Sequence, residues 1–314
     1  MSPQKLGRTL IIADPTAHGG KGEGAALFAT RFFSSFGTVS SSCEIRLIEN
    51  PDDARHMASG AHGYQTVIAL GGDMTIHEVV NGMMHLDEDD RPRLGIIPMG
   101  SANDFARTIG ITRNDPSRAI SDLMGGDERL LDLGVVNGNY FVQTLSFGVD
   151  AAIAIESNER LALHESKPGP HLFVTTGLRR IVSGLREWPF RAIADGDSLE
   201  GVDVAFAIQN GPTYGGGFKV CPEARPNDGL LDLCVSITKP SVAESIALFG
   251  LIRAGKHTNS PGILMRKIRN LKVQFLGEEQ PPCQMDGKSF FANDYDIRVV
   301  PRAISVIVSQ ACAW

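Results

Sequence analysis

The stretch 66-TVIALGGDMTIHEVVNGM-83 decides how the chain is read. Residues 66–70 are β-branched and aliphatic and predict a strand, Gly71-Gly72-Asp73 predicts a turn, and a helix follows. Thr75 and Glu78 have the spacing of a capping box, which sets the helix start at Thr75. Glycine-rich turns from strand to helix commonly cradle phosphates, because the free N–H groups at a helix start attract anions. Asp73 is out of character there, since a carboxylate by itself repels phosphate.

Two further junctions share this design: 9-TLIIADPTAHGGKGEG-24 and 94-LGIIPMGSANDFAR-107, the latter with a similar cap spacing at Ser101 and Asp104. In a parallel sheet all such turns lie at one carboxyl edge. The three therefore predict one nucleotide-phosphate site. Its candidate residues are Asp14, Thr16, Gly20 and Gly22, then Gly71, Gly72, Asp73 and Thr75, then Gly100, Ser101, Asn103 and Asp104. No loop carries the Gly-Lys-Ser/Thr of a P-loop, and none fits GxGxxG. Asp73 and Asp104 make sense as a pair with a divalent cation between them, because Mg²⁺ is held by one or two carboxylates plus substrate phosphates. On the plainer reading Asp104 is a helix cap, and both roles are compatible.

The surrounding chain is ordinary for a globular protein: 314 residues, 42% hydrophobic and 21% charged, with a mean hydropathy of -0.04. Its net charge of -6 provides no basic field, so no nucleic-acid partner is expected. The five cysteines are scattered without CxxC or metal spacing, which excludes a disulfide framework or zinc site and favours a reducing compartment. Neither a signal peptide nor an apolar run of about 18 residues is present, so a soluble, cytoplasmic protein is expected.

Strands are expected at 9–13, 44–48, 66–70 and 94–98, and helices at about 23–36, 51–61, 75–85 and 101–109. This alternation predicts a parallel α/β layer. Near Leu131 the texture changes. Asn137-Gly138 joins two β-rich runs, a strong hairpin signal. Further strands are expected at 203–209, 230–237, 271–276, 297–300 and 304–309, with helices at about 171–187 and 241–254, which makes the second half mostly antiparallel. Residues 164–170 read as a flexible loop and 87–91 as a solvated acidic one. The stretch 171–191 sets Arg179, Arg180, Arg186 and Arg191 among apolar residues, as a basic amphipathic helix on a lipid interface does. Trp188 and Phe190 are its candidates for touching lipid, although its apolar side also suits packing on the β domain.

Several motifs together resemble the diacylglycerol kinase catalytic-domain family, in particular its bacterial soluble lipid kinases. They are 71-GGDMTIHEVVNG-82, 100-GSANDFAR-107, 14-DPTAHGGKG-22, 132-DLG-134, 214-YGGGFKVCPEARPNDGLLDL-233 and 285-MDGK-288. The resemblance implies an N-terminal α/β nucleotide-binding domain of NAD-kinase/diacylglycerol-kinase type over 1–131, with residues from about 303 to 314 returning to it. A C-terminal antiparallel β-sandwich-like domain over 132–302 would take the lipid. The implied reaction passes the ATP γ-phosphoryl to a lipid hydroxyl, by default that of diacylglycerol, with phosphatidylglycerol, sphingoid bases and monoacylglycerol left open. Asp286 is implied as general base, Asp73, Asp104 and Asp132 as lining the Mg²⁺–ATP site, and Asp228 as part of a separate Mg²⁺ site. The implied partner is a lipid at a membrane surface, met peripherally; a homodimer stays open.

Four residues depart from the family pattern. Met74 replaces a glycine beside the phosphate loop, and Lys288 replaces a glutamate two residues after Asp286. The exchanges at Asp14 and His77 are milder. If 285–288 is extended, Lys288 lies on the same side as Asp286; if Asp286-Gly287 is a hairpin turn, Lys288 faces solvent. Two alternatives follow: a catalytically impaired nucleotide- or lipid-binding regulator, and a kinase of another hydroxyl substrate such as NAD, whose kinases share the GGD turn.

Overall fold

The computed structural model describes residues 6–35, 40–50, 52–163 and 170–314. The expected loop over 164–170 lies, but for Pro170, outside them. Two compact units are present, one of residues 1–131 with 302–314 and one of residues 132–301.

The first unit runs β1 (Gly7–Ala13), α1 (Ala17–Ser35), β2 (Ser40–Leu47), α2 (Asp53–Ser59), β3 (Thr66–Gly71), α3 (Asp73–Met83), β4 (Arg93–Pro98), α4 (Asp104–Thr108) and α5 (Pro116–Gly125). Its strands pair in parallel in the order β2-β1-β3-β4. Every residue of β3 is buried, as in parallel sheets covered on both faces by helices. That is why TVIAL is a continuous apolar run rather than an alternating one.

A strand β5 (Asp127–Val136) leads into the second unit, where Asn137 and Gly138, both at positive φ, turn the chain into β6 (Asn139–Phe141). There follow β7 (Thr144–Gly148), α6 (Val149–Ala162), α7 (Pro170–Ser183), β8 (Trp188–Ala194), β9 (Asp197–Asp203), β10 (Ala205–Gln209) and β11 (Leu231–Ser236). The unit continues with α8 (Val242–Ala254), β12 (Ile263–Ile268), β13 (Asn270–Phe275), β14 (Cys283–Met285), β15 (Lys288–Ser289) and β16 (Asp294–Val308). One antiparallel sheet runs β12-β11-β10-β7-β14-β15, and β9, β8, β13 and the first part of β16 form another. Phe147, Phe190, Phe206, Phe275 and Tyr295 form the core of this β-sandwich-like unit, with ring centroids 4.6 Å apart for Phe147–Tyr295 and 5.2 Å for Phe190–Phe206.

Several expectations are corrected. Residues 297–300 and 304–308 belong to one strand, β16, which passes through Arg302 at φ +53° and ends one residue short of the expected 304–309 run. Its last residues pair in parallel with β4, Val306 opposite Leu94. Helix α7 stops at Ser183 and Trp188 opens β8, so no helix runs through 171–191. Phe190 is buried in the sandwich core and cannot meet lipid. Arg180 and Arg179 pair with Glu156, Arg186 with Glu279 and Arg191 with Glu200, so all four expected basic residues already have acidic partners. Helix α5 was not anticipated, yet its start is signalled by Asp115, whose side chain accepts from the Arg118 N–H, and by Pro116 in the first turn.

Candidate functional site

Three loops follow β1, β3 and β4 in the first unit. After β1, Asp14 Oδ1 accepts from the Thr16 N–H at 2.8 Å and the Thr16 hydroxyl at 2.7 Å, which folds the loop on itself. His18, Gly19 and Gly20 then take positive φ in succession (52°, 69° and 88°), breaking α1 near its start. Helix α1 passes the loop so closely that a Cβ on Gly22 would lie 2.0 Å from the Asp14 carbonyl oxygen. Gly22 is thus required by chain crossing.

The loops after β3 and β4 touch through glycine. A Cβ on Gly100 would sit 2.7 Å from Gly72 Cα, and one on Gly71 would strike the Thr75 hydroxyl at 2.4 Å. The Met99 N–H donates to the Gly71 carbonyl at 2.7 Å, and the Phe105 N–H donates to Asp73 Oδ1 at 3.3 Å. Asn103, in left-handed conformation, closes a ring with Gly100: its Oδ1 accepts from the Gly100 N–H and its Nδ2 donates to the Gly100 carbonyl. Asn103 therefore shapes the loop, while part-exposed Ser101 sits within it before α4 begins.

Both expected helix caps are corrected. Helix α3 starts at Asp73 behind Gly72, and neither that start nor the start of α4 has a side-chain cap bond. Glu78 is buried and accepts from Arg55 Nε at 2.7 Å instead of reaching back to the helix start. Thr75 is buried against Gly71. Asp73 stands in the first turn of α3, where the helix dipole favours a negative charge.

Cationic and polar groups not singled out from the sequence surround these loops. Arg107 Nε lies 3.6 Å from Asp104 Oδ1, and Arg113 is close enough for both to act on its charge. Burial chiefly, and Arg107 next, lower the pKa of the Arg113 guanidinium. Part-buried His18 lies beside the backbone of Gly100; its Nδ1 is buried and has no hydrogen-bond partner among the described residues. Burial first, and the nearby Lys21 second, lower its pKa and favour the neutral imidazole. The signal for His18 was its place in a glycine run, where only the glycines drew notice.

In the second unit, buried Asp132 accepts from the Gly229 N–H at 2.7 Å, while its own N–H donates to the Pro226 carbonyl, so it fastens the 226–229 loop. Asp286 and Gly287 form the β14–β15 turn at φ 48° and 91°, which corrects the extended reading of 285–288. The Asp286 carboxylate is buried and accepts three backbone N–H groups, from Val142 at 2.8 Å, Gln143 at 3.0 Å and Thr144 at 2.9 Å. Lys288 is half-buried rather than turned fully to solvent.

The residues differ in how they fit Mg²⁺. Asp73 and Asp104 are two carboxylates of the kind that, together with substrate phosphates, would hold this ion. Among the described residues no group of three or more His, Cys, Asp or Glu side chains could hold a metal by itself. Asp228 does not fit. Lys267 Nζ lies 2.9 Å from its Oδ2 and 3.1 Å from Asp232 Oδ2, so an ammonium already supplies the compensating charge and would repel a second cation.

Residues 8–136 match the family model of the diacylglycerol kinase catalytic domain. Residues 143–308 match that of the YegS C-terminal NAD kinase beta sandwich-like domain. The chain is 33% identical over 238 residues to a diacylglycerol kinase of Bacillus subtilis (strain 168), covering 75% of this chain and 76% of that one. The chain belongs to the diacylglycerol kinase family. A diacylglycerol kinase of Staphylococcus aureus (strain bovine RF122 / ET3-1) is 30% identical over 225 residues, 72% of this chain and 68% of its own. A Bacillus anthracis str. Sterne crystal structure shares the fold with a TM-score of 0.80 at 22% identity, covering 100% of both chains. As a member of this lipid kinase family, the chain is a phosphotransferase.

Proposed function

We propose that this chain transfers the γ-phosphoryl group of ATP to a lipid hydroxyl, with diacylglycerol as acceptor and phosphatidic acid as product. The observation that carries this reading is the meeting of the Gly72 and Gly100 loops, with Asp73 and Asp104 on them and Arg107 and Arg113 beside them. Close backbone, helix starts and cations suit phosphate groups. The Asp73–Asp104 pair suits Mg²⁺, which when bound neutralises charge on the phosphate oxygens. The lipid hydroxyl oxygen forms a bond to the γ-phosphorus, the bond to the β,γ-bridging oxygen breaks, and ADP leaves. Asp286 takes the hydroxyl proton, its carboxylate held in place by three backbone N–H groups. Those same bonds favour a second reading, a nucleotide-binding regulator in which Asp286 is purely structural.

Radiolabelled ATP supplied with Mg²⁺ and a lipid panel tests the proposal. Label should pass into the organic phase with diacylglycerol, and Asp73→Ala should lower that rate by about a hundredfold or more while the protein stays folded. A folded Asp73→Ala protein with undiminished turnover refutes the site. ATP binding without transfer to any lipid favours the regulator.

A further inference from the structure

Helix α8 spans Val242–Ala254 and carries no charged residue between Glu244 and Arg253. A helix apolar on all sides belongs in a core or against an apolar partner. Here only Ser245 is buried. Leu248, Phe249 and Ile252 turn inward to line a cavity of about 60 Å³, and Phe249 crosses α7 at Gly177 and stacks on Phe218 with ring centroids 4.8 Å apart. The opposite face, with Val242 46%, Ile246 42% and Leu251 38% exposed beside Ala247 and Gly250, is left in water. On the neighbouring α7, Leu178 and Val182 are exposed as well.

This helix is firmly made. Ser241 and Glu244 form a complete capping box, and Gly255 ends it in left-handed conformation with N–H bonds to the last turn. Its outward apolar face is therefore a fixed surface.

We propose that the outer face of α8 docks on a lipid bilayer, lying in the interface plane. The choice of partner rests on the lipid-acceptor reading above: a diacylglycerol hydroxyl sits at a bilayer surface, and no helix among the described residues is long and apolar enough to cross a membrane. Exposed Arg253 and Lys256 stand at the C-terminal end of α8, where they complement anionic headgroups although the whole chain carries a net charge of -6. A second copy of the chain fits less well. Thirteen residues make a strip about 20 Å long and on the order of 10 Å wide, roughly 200 Å² against the ~800 Å² per partner of a stable interface.

The test is co-sedimentation of the full chain with equimolar phosphatidylcholine–phosphatidylglycerol vesicles. Wild-type protein sediments with them, and the double variant Ile246→Glu/Leu251→Glu partitions about a hundredfold more weakly, because two large apolar side chains leave the interface and two anions enter it. Circular dichroism checks that the variant is folded. It keeps turnover on water-dispersed dioctanoylglycerol, which needs no docking. Should it not fold, Arg253→Glu/Lys256→Glu decides: binding to the anionic vesicles falls, and binding to pure phosphatidylcholine does not. The proposal is overturned if wild type does not sediment or if the folded double variant sediments equally. It is also overturned if the variant only converts a dimer to a monomer in solution. If no lipid is phosphorylated yet binding still depends on α8, the function proposed above fails and the docking surface stands.

Discussion

Asp150 makes the stability of the second unit depend on pH, and replacing it by asparagine should remove that dependence. It follows Gly148, at φ +72°, at the start of α6, and its carboxyl lines the apolar cavity beside Ile153, Phe173 and Phe249. Burial pushes its pKa up to about 7, and the side-chain hydrogen bond to Tyr214 only partly opposes this. A rise from 3.8 to about 7 is roughly three units, each worth ~1.4 kcal/mol. Ionising Asp150 thus costs the fold on the order of 4 kcal/mol. The sign follows from proton binding. Below the unfolded pKa both states are protonated and stability is full; from about pH 4 the unfolded chain releases the proton while the fold retains it, and stability falls until the pH passes about 7. Asparagine has no proton to release, and its oxygen still accepts from the Tyr214 hydroxyl. The assay is urea unfolding at pH 5 and pH 8 read by Trp188 fluorescence, in a Trp314→Phe background because Trp188 and Trp314 are the only tryptophans and Trp188 lies in this unit. Wild type should lose roughly 3 kcal/mol more than Asp150→Asn between the two conditions. Parallel losses in the two proteins would refute a half-buried carboxyl that retains its proton.

Two further outcomes separate carboxylates that also hold the fold together from those that do not. Asp286→Ala leaves three buried N–H groups without their acceptor at about 1–3 kcal/mol each, so its unfolding free energy should fall by at least about 3 kcal/mol, whereas Asp73→Ala should fall by no more than about 1 kcal/mol; equal losses would remove the distinction. Glu78→Ala breaks the pair with part-exposed Arg55 and should cost about 1–3 kcal/mol with the KM for ATP unchanged; a raised KM without loss of stability would return Glu78 to the site.

The fold class was legible because two periodicities differ. Unbroken apolar runs such as TVIAL mark strands buried on both faces, while β13 alternates exposed and buried residues along NLKVQF, as a sheet with one wet face does. What escaped the sequence lies where contacts are made far along the chain. Trp188 and Phe190 follow a basic apolar stretch and continue a helical pattern, yet Phe190 is claimed by Phe206 and Phe275, and that packing makes the segment a strand. Capping boxes failed for the same reason: Glu78 has the local spacing, but Arg55 takes its carboxylate. At Ser241, where no cation among the described residues pairs with Glu244, the capping box forms.

Site chemistry was legible in residue type and less so in partnership. Asp73 at a glycine turn is compatible with a phosphate loop because the first turn of α3 stabilises its charge and the Phe105 N–H ties it to the neighbouring loop. It is thereby tied to the loop that carries Asp104, whose own carboxylate lies close to two guanidiniums, an arrangement of mixed charge that neither loop discloses alone. Asp228 makes the opposite case. In the sequence it is one more acid in a glycine-rich segment, and only the pairing of β11 with β12, which sets Asp232 opposite Lys267, brings the ammonium that fills its need for charge. A carboxylate motif therefore identifies a demand for positive charge, and the sheet register decides whether the chain or a bound cation meets it.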